Sequence, residues 1–180
     1  MVREQVVLVD KNDNQIGLMD KLEAHQGKGV LHRAISVLLY RKKKGAVEVL
    51  LQKRAADKPL WPFFWTNTIC THPRDGETAV DCAVRRLEEE MGIVVKKEDL
   101  QFVYKLLYQA QYTSDLAEHE FDSLFVSEWD GNLAINPREV ADARWISAPV
   151  LQAEMTVKPN TFTPWVHMFM KEEKVKNLLG

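Results

Sequence analysis

Apolar residues along this chain fall in short runs broken by turn-forming clusters, and recur at helical spacing in two places. The run VVLV at 6–9 reads as a strand. Lys11, Asn12, Asp13 and Asn14 then turn the chain into a second extended piece near Ile16, which predicts a hairpin. HRAISVLLY at 32–40 is apolar and rich in strand formers, and the basic turn RKKKG joins it to VEVLLQKR at 47–54. That pair predicts a longer hairpin with mostly buried strands. The four cations at 41–44 resemble an anion patch, but at a hairpin tip they read as a solvated turn.

Over 78–91 the sequence TAVDCAVRRLEEEM sets Ala79, Ala83, Leu87 and Met91 on one helical face, and Gly92 follows where a helix-ending glycine belongs. Three further extended segments are expected around 102–112, 121–129 and 143–146. After Pro164 the tail TPWVHMFMKEEKVKNLL alternates apolar and charged residues at helical period, predicting one closing amphipathic helix. Strands interspersed with a few helices give a layered α/β (α+β) domain, read as a single unit over 1–180.

Composition narrows the function classes. With 46% hydrophobic and 28% charged residues the chain has ordinary soluble usage, which sets aside disordered and fibrous classes. A net charge of −2 supplies no global field for nucleic acid or an anionic membrane, so any anion site is local. Cys70 and Cys82 are too few for a disulfide framework, MVREQVVLVD lacks a secretory stretch, and no run approaches the roughly 18 apolar residues of a membrane span. These features predict a cytoplasmic protein with free thiols and no nucleic-acid or membrane partner. No heptads demand a dimer, so a monomer is expected.

Candidate chemistry clusters in two segments. In WTNTICTHPRDGE at 65–77, Cys70 and His72 lie two residues apart in an extended stretch and so point to one side. In AEHEFD at 117–122, Glu118 and Glu120 share one strand face and His119 takes the other. Bare neighbouring carboxylates repel, and a divalent cation removes that penalty; an exposed edge strand with charged gatekeepers is the plainer alternative. His25 and His32, in HQGKGVLH with two glycines that let the chain fold tightly, join His72 and the carboxylates in a mixed nitrogen and oxygen set. Such a set suits magnesium, manganese or zinc.

The helix carries a sharper pattern. Glu77, Arg85, Leu87, Glu89, Glu90, Gly92 and Ile93 reproduce most of the Nudix box, GX5EX7REUXEEXGU with U aliphatic. Thr71 stands in place of the opening glycine, and Arg86 in place of the glutamate that follows Arg85. In Nudix hydrolases that glutamate helps hold the metal that activates water; an arginine there repels metal and attracts phosphate. With WTNTICTHP ahead of the box and AEHE after it, the chain resembles the type 1 isopentenyl diphosphate isomerases, a divergent Nudix-fold family. The resemblance runs from the His25 and His32 segment to TPW at 163–165.

The resemblance implies a Nudix-like mixed β-sheet layer flanked by helices, with extra N-terminal strands and a C-terminal helix. It implies interconversion of isopentenyl and dimethylallyl diphosphate, adding a proton at one carbon and removing one from another through a tertiary carbocation, with no redox cofactor. Cys70 and Glu120 match the family's two essential proton-handling residues, acting from opposite faces of the allylic unit. Trp165 matches a tryptophan whose face stabilises the cation, and Tyr108 a tyrosine that hydrogen-bonds the catalytic glutamate. His25, His32, His72, Glu118 and Glu120 carry over as ligands of one divalent metal (Mn2+, Mg2+ or Zn2+). Glu90 would hold a second ion, Mg2+, on the diphosphate. Lys21, Arg54, Lys58 and Arg86 match positions that grip phosphate oxygens. A Nudix diphosphate hydrolase is the alternative, which Arg86 opposes, and a noncatalytic binder is a third class, which Cys70 and Glu120 oppose.

Overall fold

The computed structural model describes residues 4–180. Strands β1 (Gln5–Val9) and β2 (Gln15–Asp20) form the expected antiparallel hairpin. Asp20 then accepts hydrogen bonds from the Leu22 and Glu23 amides and caps a single-turn helix, α1 (Lys21–Ala24), which the sequence pattern does not predict. The next pair, β3 (His32–Lys43) and β4 (Ala46–Arg54), turns at Lys44 and Gly45, both at positive φ, as a two-residue hairpin loop requires. The tip cations are partly engaged rather than simply solvated. Arg41 lies 4.3 Å from the Trp145 ring and pairs with Glu48 and Asp130, and Lys42 pairs with Glu128.

Only residues 40–43 of β3 pair with β4, after which the two strands part. Beyond that point β4 takes the short β5 (Trp65–Thr66), while β9 (Val140–Ser147) pairs with it along residues 48–54. The inner length of β3 takes β6 (Ile69–Thr71) antiparallel on one side and β8 (Ala117–Glu128) parallel on the other. Strand β7 (Gln101–Gln111) pairs with β8 and completes a nine-stranded mixed sheet among the described residues.

Side-chain alternation splits this sheet into two apolar faces. Ile35, Val37 and Leu39 pack with Leu50 and with Ala83, Leu87 and Met91 of α2 (Ala79–Met91). Leu38, Leu51, Leu124 and Val126 face the other way, toward Leu151 of α3 (Ala148–Val157), Trp165 and Phe169 of α4 (Pro164–Phe169), and Val175 and Leu179 of α5 (Glu173–Leu179). Each large side chain so buried is worth about 1.5–3 kcal/mol relative to exposure. The result is a sheet between helical layers, the fold class expected. Helix α2 is closed at both ends as its sequence predicts. Thr78 accepts from the Asp81 amide, and Gly92 sits at φ 65°, where a Cβ would come within 2.6 Å of Ala134.

Three boundaries differ from expectation. The strand placed at 121–129 begins at Ala117, so the carboxylate pair lies within it. Helix α3 had no distinct apolar period, since Leu151 is its one buried residue. The tail is two helices. On one continuous helix the set Trp165, Val166 and Phe169 would lie about 100° around the axis from Val175 and Leu179, so both reach the core only if the chain turns between them. No helix of the described residues is long and apolar enough to cross a membrane.

Candidate active site

Strand register gathers the candidates on one face of the sheet. His32 is opposite Glu120, Glu120 is opposite Tyr108, and Cys70 is opposite Ser36. Opposed residues share a face, so these side chains, with Glu118 and Asp122 two places either side of Glu120, all project toward the layer of α3 to α5. His72 follows Cys70 on the same side. His25 arrives from the end of α1, held by the Ala117 amide donating to its carbonyl at 2.9 Å. Gly27 and Gly29 both take positive φ, and at Gly29 a Cβ would press within 3.0 Å of the Ala117 carbonyl, so the expected tight fold around the centre is present.

The three histidines and two carboxylates offer donor atoms that all lie within 4.8 Å of one another. The His25 and His32 Nδ1 atoms contact the carbonyls of Lys21 at 2.6 Å and Val30 at 2.7 Å. A carbonyl only accepts, so Nδ1 carries a proton in each ring and Nε2 is left to face inward as a ligand atom. There His32 Nε2 meets His72 Nε2 at 3.1 Å, and His25 Nε2 meets Glu118 Oε2 at 2.8 Å. Glu118 Oε2 and His72 Nδ1 are buried without a hydrogen-bond partner. Lone pairs converging on lone pairs and on carboxylate oxygens repel one another unless a cation stands among them. The set therefore fits a divalent ion, with the backbone carbonyls orienting the rings from behind.

Glu120 links this cluster to the thiol. Its Oε1 is 2.9 Å from His72 Nε2, and its Oε2 accepts from the Tyr108 hydroxyl at 2.5 Å. Burial pushes its carboxyl up, but the adjoining imidazoles of His32 and His72 outweigh that and hold it well below the usual range. Cys70 goes the other way: burial, with the charges of Glu120 and Asp122, pushes its thiol well above the ordinary value. Tyr108 is likewise driven up by burial and Glu120. One neighbour is thus held as a carboxylate and the other as a protonated thiol, two complementary proton-handling groups.

Lys21, Arg54 and Lys58 line the same pocket as Cys70, His72 and Glu120. Each already has a partner: Lys21 pairs with Glu4, Lys58 with Glu139, and Arg54 donates twice to the Leu60 carbonyl. Arg86 and Glu90 are not in that lining. Arg86 donates to Glu90 at 2.7 Å and Glu89 at 2.9 Å, and meets Glu139 at 3.3 Å, so Glu139 bridges it to Lys58 at the pocket rim. Gln52 donates to the other Glu90 oxygen. Trp165 is buried, its Nε1 donating to Thr66 Oγ1 and Asn67 Oδ1, with Arg54 5.5 Å from its ring and Tyr108 at 6.2 Å.

Sequence reading missed Ser36, Asp122 and Glu139. Asp122 continues the alternation of Glu118 and Glu120, and Ser36 that of His32, so strand parity was the available signal. Glu139 had none, because it meets Lys58 and Arg86 only through the fold.

The NUDIX domain family model matches residues 30–166. Isopentenyl-diphosphate Delta-isomerase of Photobacterium profundum is 42% identical over 92% of this chain and 91% of its own length; that of Aliivibrio fischeri strain ES114 is 43% identical over 90% of each. Among solved structures, DR0079 from Deinococcus radiodurans superposes with a TM-score of 0.65 at 18% identity, covering 86% of this chain and 90% of that one. The NUDIX domain of Shewanella oneidensis NrtR gives 0.60 at 15%, covering 83% and 88%. At those identities the structural likeness speaks to the fold.

Proposed function

The chain belongs to the isopentenyl-diphosphate Delta-isomerases, a family built on the NUDIX domain, and from that premise we propose that Cys70 and Glu120 carry its proton transfers. The enzyme interconverts isopentenyl and dimethylallyl diphosphate. One proton joins one carbon and another leaves a different carbon, so two groups in opposite protonation states are needed. The observation that carries the assignment is that the half-buried Cys70 thiol and the buried Glu120 carboxylate bring their reactive atoms within 4.8 Å of one another on one sheet face, with Lys21, Arg54 and Lys58 lining the same pocket.

Tyr108, hydrogen-bonded to Glu120, holds that carboxylate in place. Trp165, locked by Thr66 and Asn67, presents an aromatic surface that tolerates a tertiary cation without attacking it. Lys21, Arg54 and Lys58 take the diphosphate at the rim, exchanging Glu4, Glu139 and the Leu60 carbonyl for phosphate oxygens, and Arg86 extends that row along α2. A divalent ion held by His25, His32, His72, Glu118 and Glu120 would fix and acidify Glu120. Manganese, magnesium and zinc all suit that set, and Glu90 would hold a magnesium ion brought with the diphosphate. Against hydrolysis stands Arg86 itself, an arginine where the NUDIX box has a glutamate, which leaves a water-activating metal one carboxylate short. The small net charge and unpaired cysteines support a cytoplasmic monomer acting without nucleic acid or membrane.

The test is turnover of isopentenyl diphosphate with magnesium in deuterated water, followed by NMR. Deuterium-bearing dimethylallyl diphosphate without phosphate release is expected, and Cys70→Ala should abolish it while leaving folding and substrate binding intact. Phosphate release, or full activity in Cys70→Ala, would overturn the assignment.

A further inference from the structure

Where β3 and β4 part, side chains from the segment at 66–68 take over the pairing. The Thr68 hydroxyl accepts from the Leu39 amide and donates to the Leu50 carbonyl, both at 2.8 Å, so it stands between the next two residues the strands would have paired. Beside it Asn67 is buried, at 1% exposure, and its side-chain amide is fully engaged. Its Nδ2 donates to the Val37 carbonyl at 3.0 Å and the Ile69 carbonyl at 2.6 Å. Its Oδ1 accepts from the Thr66 hydroxyl at 2.9 Å and from Trp165 Nε1 at 3.0 Å. Carbonyls only accept and an indole N–H only donates, so the amide has a single orientation, with both hydrogens and both lone pairs used. Its two ends lead to different parts of the site. The Ile69 carbonyl belongs to the peptide that joins Cys70, and Val37 is the β3 partner of Ile69; the indole is that of the buried Trp165 on α4.

We propose that Asn67 is a positioning residue that fixes the Trp165 ring relative to the Cys70 thiol. One planar amide holds the indole on its oxygen and the peptide before Cys70 on its nitrogen, so neither group turns without straining the hold on the other. A tie of this kind is needed because neither element is long: β6 has three residues and α4 has six. Thr66 adds a second acceptor for the indole at 2.8 Å, but its own hydroxyl proton goes to Asn67, so the ring's tie to β6 runs through the amide. A ring face stabilises a cation only where it stands over the carbon that bears the charge, and the proton-transfer group must be aligned with that same substrate.

The inference rests on Trp165 facing the cation and Cys70 handling a proton, and the test keeps these apart. Five tryptophans give five indole signals in a proton–nitrogen NMR spectrum of tryptophan-labelled protein, and the one lost in Trp165→Phe belongs to Trp165. In Asn67→Ala that signal should move. With it, kcat should fall about tenfold, while KM and the dissociation constant of inorganic pyrophosphate stay within about twofold, because the pocket cations are untouched; a general loss of fold would move all three. Trp165→Phe keeps an aromatic face but has no N–H to give. It should itself lose about tenfold in kcat, and adding Asn67→Ala should cost less than about threefold more. Asn67→Ser, whose hydroxyl can still serve one of the two carbonyls, gives the same comparison should the alanine variant melt below the assay temperature. An unmoved indole signal, full turnover in Asn67→Ala or in Trp165→Phe, or a cost of about tenfold from Asn67→Ala in both backgrounds overturns the proposal. Turnover retained in Trp165→Leu or Cys70→Ala overturns the role given to that residue instead, and the indole signal still decides whether Asn67 holds the ring.

Discussion

Arg86 is one of the two residues, with Thr71, that break the NUDIX box pattern in this chain, and its contacts say what it does there. It is surrounded by Glu89, Glu90 and Glu139, and burial would weaken its charge were those carboxylates not there to hold it. Arg86→Glu would set four carboxylates together, with Lys58 on Glu139 and Arg85 and Arg74 on Glu89 but no cation left on Glu90. Weaker substrate binding is expected, read as a KM raised at least tenfold, together with a thermal midpoint several degrees lower; an unchanged KM would show that Arg86 does not reach the phosphate. Glu120→Gln keeps the shape, but the amide cannot act as an ionised ligand. Activity should be lost and metal content of the purified variant should fall, while a variant retaining full metal would remove Glu120 from the ligand set. Residues of this kind were legible because their types recur in a known order along the chain. Ser36 and Asp122 were legible only as to face, since strand parity aligns them with His32 and Glu120 but a serine and an aspartate in apolar strands carry no motif. Only the pairing of β3 with both β6 and β8 shows that they meet at Cys70.

At the scale of elements, α2 was legible almost to the residue, since cap, apolar face and terminal glycine agree. Helices α1 and α3 were not, because one is a single turn and the other buries one residue. The entry to α2 is held by Glu77, which accepts from Arg85 through both oxygens and from the Arg74 amide. Those contacts, Arg85 foremost, hold the Glu77 carboxyl below its usual value, so the folded state binds fewer protons than the unfolded chain there. The stability it contributes is complete above the unfolded carboxylate value near 4.3 and is lost as pH falls through the lower folded one. Urea midpoints of the wild type should therefore drop from pH 5 toward pH 3. Glu77→Gln should start about 1 kcal/mol lower and lose less over that window, as suits a partly exposed pair. Parallel acid profiles for the two proteins would mean the Glu77 and Arg85 pair adds nothing to the fold.

For the molecule as a whole, the histidine and carboxylate cluster is a clasp as well as a site. Its ligands come from the turn around 25–32, from His72 after β6, and from the start of β8, segments that backbone pairing already brings together and an ion would tie at their side chains. An ion bound by the folded chain and not by the unfolded one stabilises by mass action, about 2.7 kcal/mol at a hundredfold excess over its dissociation constant. For a chain of this size that corresponds to roughly 5–10 °C in the thermal midpoint. Chelation with EDTA should lower the midpoint by that amount, and adding back manganese, magnesium or zinc should rank the three by the rise each restores. His72→Ala should show little response to either treatment, because it removes the ligand that meets both His32 and Glu120. A wild-type midpoint unchanged after metal analysis confirms removal would mean that the histidine and carboxylate contacts of the metal-free protein already hold the three segments together. The ion would then matter to Glu120 and its chemistry alone.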